Sequence, residues 1–177
     1  MKLKDKFILI VSLAGLTLTG CLEMELKVQP NHAAVGSTFS ATNEVVQTNN
    51  SGSRTMLYAV QKPEDWTINS VTFTSPQQGN GTLSYLGNGS DASLTESSGI
   101  DEGWEDSLTA NYPPAEGSHW AVYMSDAAAT SSASEESPDT FHVTVEYTVG
   151  NNEGNYNLEY WVSYDSNDNP TSAENTS

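Results

Sequence analysis

Apolar and polar residues alternate with period two along much of the chain. Leu22, Met24, Leu26 and Val28 alternate with Glu23, Glu25 and Lys27. Phe141, Val143, Val145, Tyr147 and Val149 alternate with His142, Thr144, Glu146 and Thr148. Tyr156, Leu158, Tyr160, Val162 and Tyr164 alternate with Asn157, Glu159, Trp161 and Ser163. Each run has one apolar face, as a strand does when one side of its sheet lies on a core. The turn Gly150-Asn151-Asn152-Glu153-Gly154 joins the last two runs and predicts an antiparallel hairpin. Weaker strands are expected over Ser37–Thr48, Thr55–Gln61, Thr67–Thr74, Gly81–Leu86 and His119–Ser125, with Gly- and Asn-rich breaks between them. No long segment carries apolar residues at helical spacing, and Trp104–Leu108 reads as a single helical turn beginning near Asp101 or Gly103. The pattern predicts an all-β fold. It is an antiparallel, immunoglobulin-like β-sandwich of about 7–9 strands, one domain over residues 21–164. Ala127–Pro138 reads as an acidic surface loop, and residues 165–177 as a disordered polar tail.

The N-terminus carries an address rather than part of the fold. Lys2, Lys4 and Lys6 precede an apolar run, Phe7–Leu18, that is too short for the about 20 residues a bilayer-spanning helix needs. The run ends in Leu18-Thr19-Gly20-Cys21, which resembles the bacterial lipobox. That resemblance implies that residues 1–20 are a cleaved lipoprotein signal peptide and that Cys21 is lipidated. Two or more acyl chains make such an attachment stable.

Composition narrows the partners. The chain has 177 residues, 6 Lys and Arg against 23 Asp and Glu, and a formal charge of −17. Loss of residues 1–20 leaves Lys27, Arg54 and Lys62 as the only cations against 22 acids, a net −19. Such a chain offers no basic face to a phosphate backbone, so no nucleic-acid partner is expected. The single Cys excludes an intrachain disulfide and a Cys-based zinc site.

Catalytic chemistry has little support. The three histidines, His32, His119 and His142, are far apart in sequence, and no nucleophile elbow, zinc-protease motif or phosphate loop occurs. No catalytic residue is assigned, and the protein is not expected to be an enzyme. Asp101, Glu102, Glu105 and Asp106 form a carboxylate cluster that suits a hard cation, and Asp165 and Asn167 open a stretch like the start of a calcium loop. Asp165 and its neighbours lack the loop's sixth-position Gly, which is Pro170 here. Calcium is thus the one cofactor with any motif behind it. Aromatic residues are more informative. Trp66, Tyr147, Tyr160 and Tyr164 fit a core. Trp161 falls on the polar face of its strand, beside Asn157, Glu159 and Ser163, where an indole suits stacking on a sugar. Packing beneath a neighbouring loop is the competing role for Trp161, and Trp104 and Trp120 are the alternative glycan-binding candidates.

Five segments, in order, resemble a domain of Bacteroidota surface lipoproteins often encoded beside Sus-like polysaccharide-uptake pairs. They are Val35–Phe39, Ala59–Trp66, Trp104–Leu108, His119–Asp126 and Tyr160–Val162, and the resemblance covers Gln29–Tyr164. It implies a non-catalytic lipoprotein anchored in the outer membrane and exposed at the cell surface. Such a protein would bind glycan or serve as an accessory subunit beside SusC- and SusD-like partners. The alternative is an adhesion or structural module that binds another protein, with calcium. Asp106-Ser107-Leu108 also resembles the O-glycosylation site of that phylum, with Ser107 as acceptor.

Overall fold

The computed structural model describes residues 22–48, 56–87, 103–125 and 136–164. In chain order these form β1 (Leu22–Val28), β2 (Thr38–Gln47), β3 (Met56–Pro63), β4 (Thr67–Ser75) and β5 (Gly79–Tyr85). Then come α1 (Trp104–Asn111), β6 (Ser118–Ser125), β7 (Asp139–Thr148) and β8 (Glu159–Tyr164). Their hydrogen-bonded order is β1-β2-β7-β4-β5-β6-β3-β8, antiparallel throughout. β5 serves two layers: Gly79–Thr82 pair with β4, and Leu83–Tyr85 pair with β6. The sheet therefore turns over at β5 and closes into the expected sandwich. Gly81 permits this corner, because a Cβ there would stand 2.3 Å from the ring of Phe73.

The inner faces meet in one core. Val71 and Phe73 of β4 and Phe141, Val143, Val145 and Tyr147 of β7 pack against Met56, Tyr58 and Val60 of β3 and Tyr160 and Val162 of β8. The alternation read for β7 and β8 thus marks the inward residues correctly. Their pairing differs from expectation. β7 lies between β2 and β4, whereas β8 pairs with β3 in the other layer. Residues 149–158 are a crossing between layers rather than a hairpin turn. Both strands point apolar faces at the same core from opposite sides, and alternation alone cannot distinguish that from adjacency.

The helical segment is longer than one turn. It runs eight residues from Gly103, whose φ of 94° is the left-handed conformation glycine adopts easily, and Glu105 and Asp106 lie in its first turn, where the helix dipole favours acids. α1 lies on the outer face of β3, β6 and β8. There Trp104 and Leu108 complete a second, smaller core with Leu57, Ala59, Trp120, Val122 and Trp161.

A chain of hydroxyls crosses the main core. Tyr147 Oη donates to Tyr160 Oη at 3.3 Å, and Tyr160 Oη donates to Gln29 Oε1 at 3.2 Å. Nearby, Asn43 Nδ2 donates to Tyr58 Oη. Burial pushes the Tyr160 phenol up to about 12 and holds Tyr58 and Tyr147 well above the ordinary tyrosine range. Unfolded tyrosines release protons above about pH 10, while the folded chain retains them. Stability is therefore intact below about pH 10 and declines as pH climbs toward 12, by on the order of 2–3 kcal/mol for Tyr160 alone. A thermal melt series across that window, with phenolate absorbance followed in parallel, should show unfolding and ionisation moving together. Exposed tyrosines such as Tyr85 ionise without unfolding, so the contradicting result is phenolate from all eight tyrosines in a protein that is still folded.

Candidate functional site

Three connections meet at one end of the sandwich around Val149 and Gly150. From the β1–β2 connection, Gly36 N–H donates to Val149 O at 3.1 Å, and Val149 N–H donates to Ser37 O at 2.9 Å. From the three-residue β3–β4 turn, Asp65 lies so close to Gly150 that a Cβ there would stand 2.1 Å from Asp65 Oδ2. Only glycine fits at position 150. Asp65 Oδ2 also accepts from Asn152 N at 3.0 Å. These contacts hold open a cleft of about 1070 Å³ between the β1–β2 connection and the β7–β8 crossing.

The cleft has an aromatic floor and a polar rim. Trp66 stands edge-on to Phe39 at 5.6 Å and to Tyr156 at 5.4 Å, and Phe39 stacks on Tyr147 at 5.0 Å. Gln29, Asn31, His32, Asn152, Asn155 and Asn157 line the walls. Trp66 is 9 % exposed, and its indole N–H has no acceptor among the described residues. Beneath the turn, Lys62 Nζ donates to Trp66 O at 2.7 Å and to Pro63 O at 3.2 Å. Burial lowers the Lys62 pKa. One of the chain's few cations therefore pins the tryptophan's backbone. A smaller groove of about 480 Å³ opens on the other side of Trp66, between β4 and β6. His119 borders that groove, its pKa lowered first by burial and then by Lys62.

A family model described as a domain of unknown function, DUF4961, matches residues 16–177. The chain belongs to this family. No curated protein and no solved structure matches it.

The DUF4961 fold redistributes the residues singled out from sequence. Trp161 lies on the outer face of its strand, as the alternation places it, but is 1 % exposed because α1 covers it, its ring 5.3 Å from that of Trp104. Trp104 and Trp120 are buried in the same cluster, with Trp120 Nε1 donating to Tyr112 O at 2.8 Å. None of the three can stack on a ligand while α1 is in place. Ser163 is buried as well, and Glu159 is exposed and accepts from Gln61 Nε2 at 2.8 Å. Asn157 alone of that set lies at the cleft. Glu105 Oε1 accepts from Val122 N at 3.2 Å and so ties α1 to the middle of β6. No three His, Cys, Asp or Glu side chains are grouped for a metal among the described residues. Ser107 lies within α1. Cys21, Asp101, Glu102, Asp165 and Asn167, with the expected signal peptide (1–20) and expected tail (165–177), lie outside the described residues.

The cleft was not anticipated, although its signal was present. Trp66 occupies a three-residue turn between strands, which puts an indole at an end of the sandwich, and Tyr156 follows an Asn-rich segment.

Truncation should show that the second core of this DUF4961 domain is a structural cluster. Trp161→Ala empties the small core and should cost about 3–5 kcal/mol, and Leu108→Ala about 2–5 kcal/mol. Urea denaturation checks both. An unchanged midpoint in either variant would show that α1 does not seal that face.

Proposed function

We propose that the protein is a lipid-anchored outer-membrane surface module that binds glycan without cleaving it, alone or as an accessory to a polysaccharide-uptake complex. The observation that carries this reading is the cleft floored by Phe39, Trp66 and Tyr156 and rimmed by side-chain amides. Aromatic faces suit the C–H faces of sugar rings, and amides both donate to and accept from hydroxyls. Among the described residues lining the cleft, Glu153 is the one carboxylate, whereas glycoside hydrolysis uses a facing pair.

Position also supports the reading. β1 begins at Leu22, directly after the candidate lipidation site Cys21, and Leu22 pairs with Gln47 at the end of the sandwich away from the cleft. Seven residues of strand rise roughly 20 Å. A lipid on Cys21 would therefore hold the opposite pole at the membrane and turn the cleft outward. The family match includes Leu18–Cys21.

Two measurements test the two halves. Cys21→Ser should move the protein from the detergent phase to the aqueous phase, and unchanged partition would refute anchoring. Tyr156→Ala should lose retention on polysaccharide gels while keeping its circular dichroism spectrum, and full retention would remove the cleft from the mechanism.

A further inference from the structure

The hydrogen-bond polarity of the cleft specifies its ligand more narrowly than glycan. Gln29, on the wall, has its carbonyl oxygen occupied by Tyr160 Oη at 3.2 Å. Tyr160 in turn receives the Tyr147 hydroxyl, so the direction of donation runs outward from the core and ends on Gln29. Burial keeps both phenols protonated through any physiological pH, which preserves that direction. A side-chain amide whose oxygen is so engaged presents its NH₂ group to an incoming ligand. The second candidate donor is the indole N–H of Trp66, whose ring lines the cleft. The nitrogen itself is buried and has no acceptor among the described residues, so an acceptor reaches it only as the ring turns toward the cleft. Leaving a buried donor unpaired is costly, and an entering acceptor removes that cost. Around these two donors lie Phe39 and Tyr156, which are apolar surfaces.

We infer that the cleft selects saccharides bearing an acetamido group, with Gln29 and Trp66 as the specificity-determining donors and Tyr160 as the residue that positions Gln29. This rests on the glycan reading of the cleft. An amide carbonyl is the strongest neutral acceptor a sugar carries, and its methyl fits an aromatic wall. A carboxylate would accept equally well, but a net −17 chain with Glu153 and Asp65 at this pole opposes an acidic sugar. A plain hydroxyl is a weaker acceptor and brings no methyl.

Calorimetry on the intact protein with two trisaccharides of the same β-1,4 linkage separates the possibilities, one of N-acetylglucosamine and one of glucose. The N-acetylated ligand should bind about tenfold more tightly. Gln29→Glu, which replaces the donor with an acceptor, should bring the ratio close to one. Tyr160→Phe, which frees the amide to turn over, should lower the ratio without abolishing binding. Trp66→Phe keeps a ring and deletes the N–H, and serves as the second donor variant should Gln29→Glu fail to fold. Equal binding of both sugars overturns acetamido selection and leaves the glycan reading standing. A preference unchanged in Gln29→Glu and Trp66→Phe overturns the assignment of the donors. Binding of neither sugar at millimolar concentration overturns both readings.

Discussion

Every residue of β3 from Met56 to Pro63 is buried, so the layer containing it has to be covered on both faces. One cover is the opposite layer of the sandwich. The other is α1, which has only eight residues and would not be stable alone. It persists because Trp104 and Leu108 drop into a surface already formed by Leu57, Ala59, Trp120, Val122 and Trp161. Glu105 adds the acceptor that Val122 N requires. Fixing β3 in this way fixes the neighbours that pair with it, β6 and β8, and leaves that layer no free face for a ligand.

The sheet's N-terminal edge is closed to partners by different means. β1 carries Glu23, Glu25 and Lys27 outward and has a register shift between Leu26 and Val28, both of which discourage pairing with another chain. Lys27 reaches Glu25 at 2.6 Å and Glu44 at 3.0 Å, which ties the edge strand to β2. These pairs are solvent-exposed and individually weak, yet in so acidic a chain they remove local repulsion. One outer face and this edge are thus closed, and the poles of the sandwich hold the loops, which carry the adaptable chemistry.

Strand positions were legible because alternation is a local property. The bounds expected for β1 match the structure, those for β2 differ by a residue at each end, and those for β4 and β6 by a residue at one end. Layer assignment was not legible, since β7 and β8 have equivalent patterns while lying on opposite sides of the core. The burial of Trp161 had a signal that alternation concealed. Met56–Val60, Trp120–Met124 and Tyr160–Val162 are unbroken apolar runs, the mark of strands covered on both faces. Read together, three such runs call for a second layer, and the nearest amphipathic material is Trp104–Leu108. The cleft depends on contacts between residues far apart in sequence, such as Asp65 with Gly150 and Gly36 with Val149, and no spacing rule reports those.

The floor of the cleft is continuous with the core rather than laid on top of it. Phe39 stacks on Tyr147, Tyr147 donates to Tyr160, and Tyr160 holds Gln29. A ligand touching Gln29 or Trp66 therefore meets side chains whose orientation is set by the packed interior, so little ordering entropy is lost on binding. Pre-organisation of this kind improves selectivity more readily than it adds strength, because the contact area of a few sugar rings stays small. Aromatic contacts contribute about 0.5–1.5 kcal/mol each beyond area burial. On the proposed reading, strength comes from the anchor. Many copies held on one membrane face present their clefts to the same polymer, and each engaged copy raises the effective concentration of polymer at the next. A rigid cleft of modest affinity is then the more useful design, since each contact can exchange while the chain as a whole stays held.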